Sequence, residues 1–154
     1  MSTPTEIRAA LGTHLKLIPK LVVSANLPAI QTLGDGGSAV VGGPTADYTG
    51  AMGRGLVTWN YPIYVLAPTA NYDAATALLD ELTAPYGDRS VVELLWNYGR
   101  EAVGGLGILD NNGRPNVDAH ISELTAYGVE FANAGIDHIG AVLNCVVHTP
   151  GRPA

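Results

Sequence analysis

Residues 56–67, LVTWNYPIYVLA, are the stretch that most constrains the fold. Val57, Trp59, Tyr61, Ile63 and Val65 recur at a period of two, and Leu56, Tyr64 and Leu66 are apolar on the other face, among Thr58, Asn60 and Pro62. A strand apolar on both faces is usually covered on both sides. Pro62 opposes an undisturbed central position, because it has no N–H to donate to a ladder. The pattern therefore predicts a long strand that either carries a bulge or has its Pro62 end at a sheet edge.

The flanking segments supply the rest of the layout. Thr3, Pro4 and Glu6 signal a helix start, with Thr3 as N-cap, Pro4 at the first helical position and Glu6 completing a capping box. Ile7, Ala10, Leu11, His14, Leu15 and Ile18 follow at helical spacing, and Pro19 ends the helix. Residues 21–24 read as a short strand and residues 38–41 as another, set between glycine-rich loops. After the long strand, Ala74, Ala75, Leu78, Leu79 and Leu82 form an apolar helical stripe with Asp80 and Glu81 outside it, stopped by Pro85 and Gly87. Asp88 or Ser90 caps a further helix with Val91, Val92, Leu94, Leu95 and Tyr98 as its apolar positions and Trp96 turned to a second surface. Asn112-Gly113 is a hairpin-type turn signal. Residues 117–131 and 138–148 are the last two strands, antiparallel through a turn at 131–137. Ile139, Ala141, Leu143, Cys145 and Val147 form one face of the final strand, and Val142 and Val146 the other. The order predicts a single α+β domain over residues 1–148, a mostly antiparallel sheet with helices packed on one face. A disordered tail is expected at 149–154.

Composition narrows the function classes. Hydrophobic residues make up 47% of the chain and charged residues 14%, so apolar surface is left for interfaces and homo-oligomerisation is expected. The net charge is −6, and the two lysines and six arginines form no basic run. That excludes strong phosphate-neutralising contact with DNA, whereas an acidic wall lets DNA pass without sticking. Cys145, the single cysteine, has no internal disulfide partner and reads as a buried, inert thiol. No basic-then-apolar leader is visible in MSTPTEIRAAL, and no run reaches the ~20 apolar residues of a membrane helix. The expectation is a cytoplasmic protein with no membrane partner.

Site-like constellations are sparse. A hairpin turning about Ala134 sets His120 opposite His148 and Glu130 opposite His138, at opposite ends of the hairpin and too far apart for one four-ligand site. Asp118 shares a strand face with His120, which brings at best three ligands near His148. Solvated or hydrogen-bonded histidines are the expected state. Residues 50–55, GAMGRG, lack the Walker spacing and precede a strand where phosphate loops precede a helix; the glycines at 34–37 fail for the same reason. There is no Gly-x-Ser-x-Gly elbow, and Asp80-Glu81 sits on a solvated helix face. No catalytic residue, cofactor or metal is expected, and the chain reads as a non-enzyme. Trp59 and Tyr61 are expected in the core rather than as base-stacking platforms.

Taken whole, the chain resembles the tail terminator proteins of long, non-contractile-tailed phages, lambda-like members included, and especially those of phages infecting actinobacteria. The resemblance spans residues 3–148. It rests on the capped helix TPTEIRAAL, the strand and proline of YPIYVLAP, the helix of NYDAATALLDELTAPY, the short helix containing SVVELL, and the paired strands ELTAYGVEF and IGAVLNCVV. The segments 34–55 and 104–116 are longer than in compact members. The resemblance implies a hexameric ring that caps the tail tube, binds its last ring of tube protein, stops polymerisation and presents a surface to the head–tail connector. It places the protein in the virion tail, and in the host cytoplasm during assembly. The runner-up is another neck or tail component, a connector or a tube protein; a closed ring against open tubes separates the two.

The segment 42–55, GGPTADYTGAMGRG, reads as a long loop without a core pattern, of the length at which loops are usually functional. Asp47, Tyr48, Met52 and Arg54 are its candidate interface residues. Tyr48, Met52 and Arg54 are residue types that serve well at contacts, and Asp47 and Arg54 are suited to pair with a neighbouring subunit or the tube end. The expectation is a loop that becomes ordered when the ring docks.

Overall fold

Strand β4 (Leu56–Pro68) lies inside a mixed, mostly antiparallel sheet, and the other elements are arranged on it. The computed structural model describes residues 3–24, 37–48, 56–68, 72–98, 105–108, 117–133 and 136–150. In chain order they form α1 (Pro4–Leu15), β1 (Val22–Ser24), β2 (Ser38–Val41), β3 (Thr45–Asp47), β4, α2 (Tyr72–Thr83), α3 (Val91–Tyr98), β5 (Asp118–Asn133) and β6 (Ile136–Pro150). The sheet runs β1-β2-β4-β6-β5, with β3 also paired to β4. Among the described residues only the β1–β2 pair is parallel.

Pro62 is accommodated by neither a bulge in its own strand nor the outer edge of the sheet. β4 pairs with β6 without a register shift from Leu56 opposite Pro150 to Pro68 opposite His138. On its other side β2 ends opposite Ile63 and β3 begins opposite Asn60. Pro62 therefore faces the break between two short strands. Its carbonyl accepts from Gly42 N–H there, at 2.7 Å. In an antiparallel strand the N–H and C=O of one residue point the same way, so the missing donor of Pro62 is directed toward Gly42 at that break and the β4–β6 ladder loses no bond to it. Gly42 allows the corner. A Cβ on it would lie 2.8 Å from Pro62 Cγ and 2.9 Å from Tyr64 Cε2, closer than carbon atoms approach.

The segment 42–55 is not wholly a loop. Thr45, Ala46 and Asp47 form β3, opposite Asn60, Trp59 and Thr58. The final strand also runs past His148: Thr149 is 4% exposed, and its hydroxyl accepts from Trp59 Nε1–H at 3.0 Å. Residues 151–154 lie outside the described set.

The three helices pack against the sheet, and one sheet face closes the core with them. The capping box of α1 forms as predicted, Thr3 N–H to Glu6 Oε2 at 2.9 Å and Glu6 N–H to Thr3 Oγ1 at 3.2 Å. It fixes the helix so that Ile7, Leu11 and Leu15 turn inward. Ala75, Leu79 and Leu82 of α2 and Val91 and Leu95 of α3 join them. Ser90 caps α3, its hydroxyl accepting from Glu93 N–H at 3.1 Å. Tyr98 is exposed, as Trp96 is, rather than on the buried stripe. From the sheet come Val57, Trp59, Tyr61, Ile63 and Val65 of β4 and the predicted face of β6, every residue of it buried. Tyr61 links two layers, its hydroxyl donating to Pro4 C=O at 3.1 Å.

Cys145 is fully buried, and burial, with Asp118 adding to it against a backbone hydrogen bond at His120, pushes its thiol up to about 12. The thiolate is the reactive form, so the native protein should stay unlabelled by a disulfide reagent at pH 8 and take up one equivalent in denaturant. Rapid labelling of the native protein would show that β6 opens.

β5 is irregular where β6 is regular. Its register against β6 shifts between Ile121 and Glu123 and again between Thr125 and Val129, with Ala126 and Gly128 at positive φ in the second bulge. The shifts leave Leu124, Tyr127 and Val129 exposed, while Tyr127 donates its hydroxyl to Asp80 of α2.

Candidate functional site

The sheet face turned away from the core cluster is the surface on which the remaining polar chemistry gathers. Alternation along β4 and β6 sends Tyr61, Ile63, Leu143, Cys145 and Val147 inward, so Thr58, Asn60, Tyr64, Val142, Asn144, Val146 and His148 project from the other side. Val40, Leu66 and Tyr64 make a small apolar cluster there, separate from the main core.

At one end of this face the register lines up Asp47, Thr58, His148 and Asp118 as a single row across β3, β4, β6 and β5. His120 stands two residues along β5 from Asp118, on the same face. A histidine nitrogen or carboxylate oxygen from each of Asp118, His120 and His148 lies within 4.8 Å of the others. His120 Nδ1 is 3.6 Å from Asp118 Oδ2. The rings of His120 and His148 have centroids 6.1 Å apart and are tilted by 34°. His148 Nδ1 is 3.3 Å from Thr58 Oγ1. All three side chains are half-buried. Their neighbours Ala119 and Val147 are fully buried on the opposite side, which fixes the backbone that carries them.

The sequence brings these three residues together, with a different pairing. Asp118, not His120, is directly opposite His148, and His120 is opposite Val146. A slip of two residues keeps each side chain on its face, so the grouping survives. Glu130 is not opposite His138: the bulges place Phe131 there and Glu130 opposite Ile139. The side chains of residues 130–138 lie outside the described set.

The four candidate interface residues separate. Asp47 is exposed at the end of β3, in the same cross-strand row as His148. Tyr48 is 57% exposed and sets its ring edge-on to Trp59, centroids 5.9 Å apart. Met52 and Arg54 lie outside the described residues. Asp47 and Tyr48 are thus held against the sheet by β3 rather than carried on a free loop.

Tyr127 is held above the usual phenol range, first by its hydrogen bond to Asp80 and then by burial. Among the described residues no helix is long and apolar enough to cross a membrane. No protein-family model and no curated protein matches the chain.

Proposed function

We propose that this chain is a structural subunit of phage tail assembly, similar to the tail terminators, acting as a closed ring that caps the tail tube and presents a surface for joining the head. The observation that carries the reading is the half-exposed apolar patch on the sheet face turned away from the described helices. Tyr64, Val142 and Val146 stand half-buried there on the adjacent strands β4 and β6, beside the buried Val40 and Leu66, in a chain with only 14% charged residues. Apolar surface of that kind marks contact with other subunits. The resemblance over residues 3–148 supplies the rest of the support, and it rests on analogy of architecture.

Ring closure needs two different surfaces per subunit, because a head-to-tail contact joins unlike patches. Two further exposed apolar groups fit that requirement, Leu124, Tyr127 and Val129 on β5, and Leu17, Trp96 and Tyr98 on and beside α1 and α3. In this reading the tube protein and the head–tail connector are the partners, and DNA passes through without specific binding. Native mass spectrometry of the purified chain should give a hexamer that persists on dilution, and adding it to polymerising tube protein should shorten the tubes. A monomer at every concentration with no effect on tube length overturns the proposal. Open tubes or filaments of the chain itself favour the tube-protein alternative.

A further inference from the structure

We infer that Asp118, His120 and His148 form a binding site for one divalent transition-metal ion, Zn²⁺ being the best match to the donor set. Two imidazoles and a carboxylate are the mixed nitrogen and oxygen ligands that suit Zn²⁺ and its neighbours. Three protein ligands with the next position open is the arrangement of accessible zinc sites. The inference does not depend on the ring-forming role proposed above.

The spacing favours a metal over a bare ion pair. Charge-assisted N–H···O contacts are about 2.7–2.9 Å long, and His120 Nδ1 stands 3.6 Å from Asp118 Oδ2. Two donors at zinc bond lengths of about 2.1 Å are separated by roughly 3.4 Å along a tetrahedral edge. The observed gap is close to that edge. The outer limit of 4.8 Å among the three donor atoms is within reach of a small side-chain rotation.

The surroundings are built for it. The ligands stand on two paired strands whose alternate residues, Ala119 and Val147, are locked in the core; sites on rigid elements hold their geometry best. Thr58 lies against His148 Nδ1. With the ion on Nε2, Nδ1–H donates to the threonine hydroxyl, the outer contact that typically orients a metal-bound histidine. The register rows that hold the three ligands contain no lysine or arginine, and Asp47 adds a carboxylate at the end of one.

The test uses the full chain without an affinity tag, stripped with a chelator and titrated with Zn²⁺ by calorimetry and with Co²⁺ by visible absorption. One equivalent should bind, with the intense visible bands of four-coordinate Co²⁺ appearing and then bleaching as Zn²⁺ displaces it. The melting temperature should rise with free Zn²⁺. His120→Ala and His148→Ala should each abolish saturable binding, and Thr58→Ala should weaken it about 10- to 100-fold. His14→Ala, in a helix remote from these strands in sequence, should bind as the parent does. Asp118→Asn, nearly isosteric, gives the same test should a histidine variant fail to fold: it should lose the cobalt spectrum while melting near the parent. Absence of saturable binding by the parent, or parent-like affinity in Asp118→Asn and both histidine variants, overturns the inference.

Discussion

Leu79→Asp should lower stability by about 4 kcal/mol or more, a large part of the ~5–15 kcal/mol that holds an ordinary domain together. Leu79 is fully buried in α2, and it belongs to the same cluster as the inward faces of β4 and β6. An aspartate there loses the packing of the leucine and places a carboxylate where it has water on no side. Leu79→Ala isolates the packing loss, about 2–5 kcal/mol. Ala77→Asp, on the exposed side of the same helix, should cost less than ~1 kcal/mol, since it pays only for propensity and a surface charge. Urea denaturation of the three variants gives the comparison directly. If Leu79→Asp unfolds at the parent's midpoint, α2 does not pack on the sheet in solution.

Most of the buried pattern of α2 was open to sequence reasoning because its apolar residues recur strongly at helical spacing: Ala75, Leu79 and Leu82 are buried and Leu78 is half-buried, whereas Ala74, read on the same stripe, is exposed. The same holds for β6, whose period-two face from Ile139 to Val147 is buried throughout. Strand β3 was hidden for the opposite reason. Thr45, Ala46 and Asp47 contain one small apolar side chain, and what holds them to β4 is backbone pairing, which leaves no trace in side-chain pattern. The bulges of β5 were equally invisible. One extra residue near Ser122 reverses which face its successors occupy, and a hairpin read with a single turn centre cannot contain such a step. Pro62 shows how a correct local rule led to two incomplete answers. The rule that proline donates no ladder bond holds, and the sheet meets it by ending one neighbour and starting another opposite that residue.

The metal-ligating trio lies between these cases. Asp118-Ala-His120 places two donors on one strand face whatever the pairing, so the cluster tolerated an error of two residues in register. What the sequence did not supply was the distance between those donors, or Thr58 beside His148. Both depend on which strands are neighbours, and the neighbour relation between β4 and β6 joins residues about ninety apart along the chain.

Tyr61 carries the second large effect. It is among the largest fully buried side chains, and its hydroxyl reaches Pro4 at the start of α1. Tyr61→Ala should cost about 3–5 kcal/mol, the range for removing a buried aromatic ring. Tyr61→Phe keeps the ring and should cost about 1 kcal/mol, the net value of one hydrogen bond, because Pro4 is exposed and water can take over its carbonyl. The two also differ in their response to alkali. Burial pushes the Tyr61 phenol from 10.0 up to about 12, against a lowering by Arg8 and with smaller raising contributions from Cys145 and Tyr48. Between those two values the unfolded chain has released its proton and the folded chain has kept it. The unfolded state then binds fewer protons, so the stability is complete below pH 10 and falls as pH rises toward 12. Each such group contributes a slope of up to about 1.4 kcal/mol per pH unit in its window. Cys145, raised from 9.0 to about 12 mainly by burial, acts in the same sense and starts one unit lower. Urea midpoints measured from pH 8 to 11.5 should therefore be flat at first and then decline. Tyr61→Phe should flatten the decline above pH 10, and Cys145→Ala should remove its onset between pH 9 and 10. Equal alkaline slopes in the parent and in Tyr61→Phe would mean that the phenol titrates freely in the folded protein and does not lock β4 to α1.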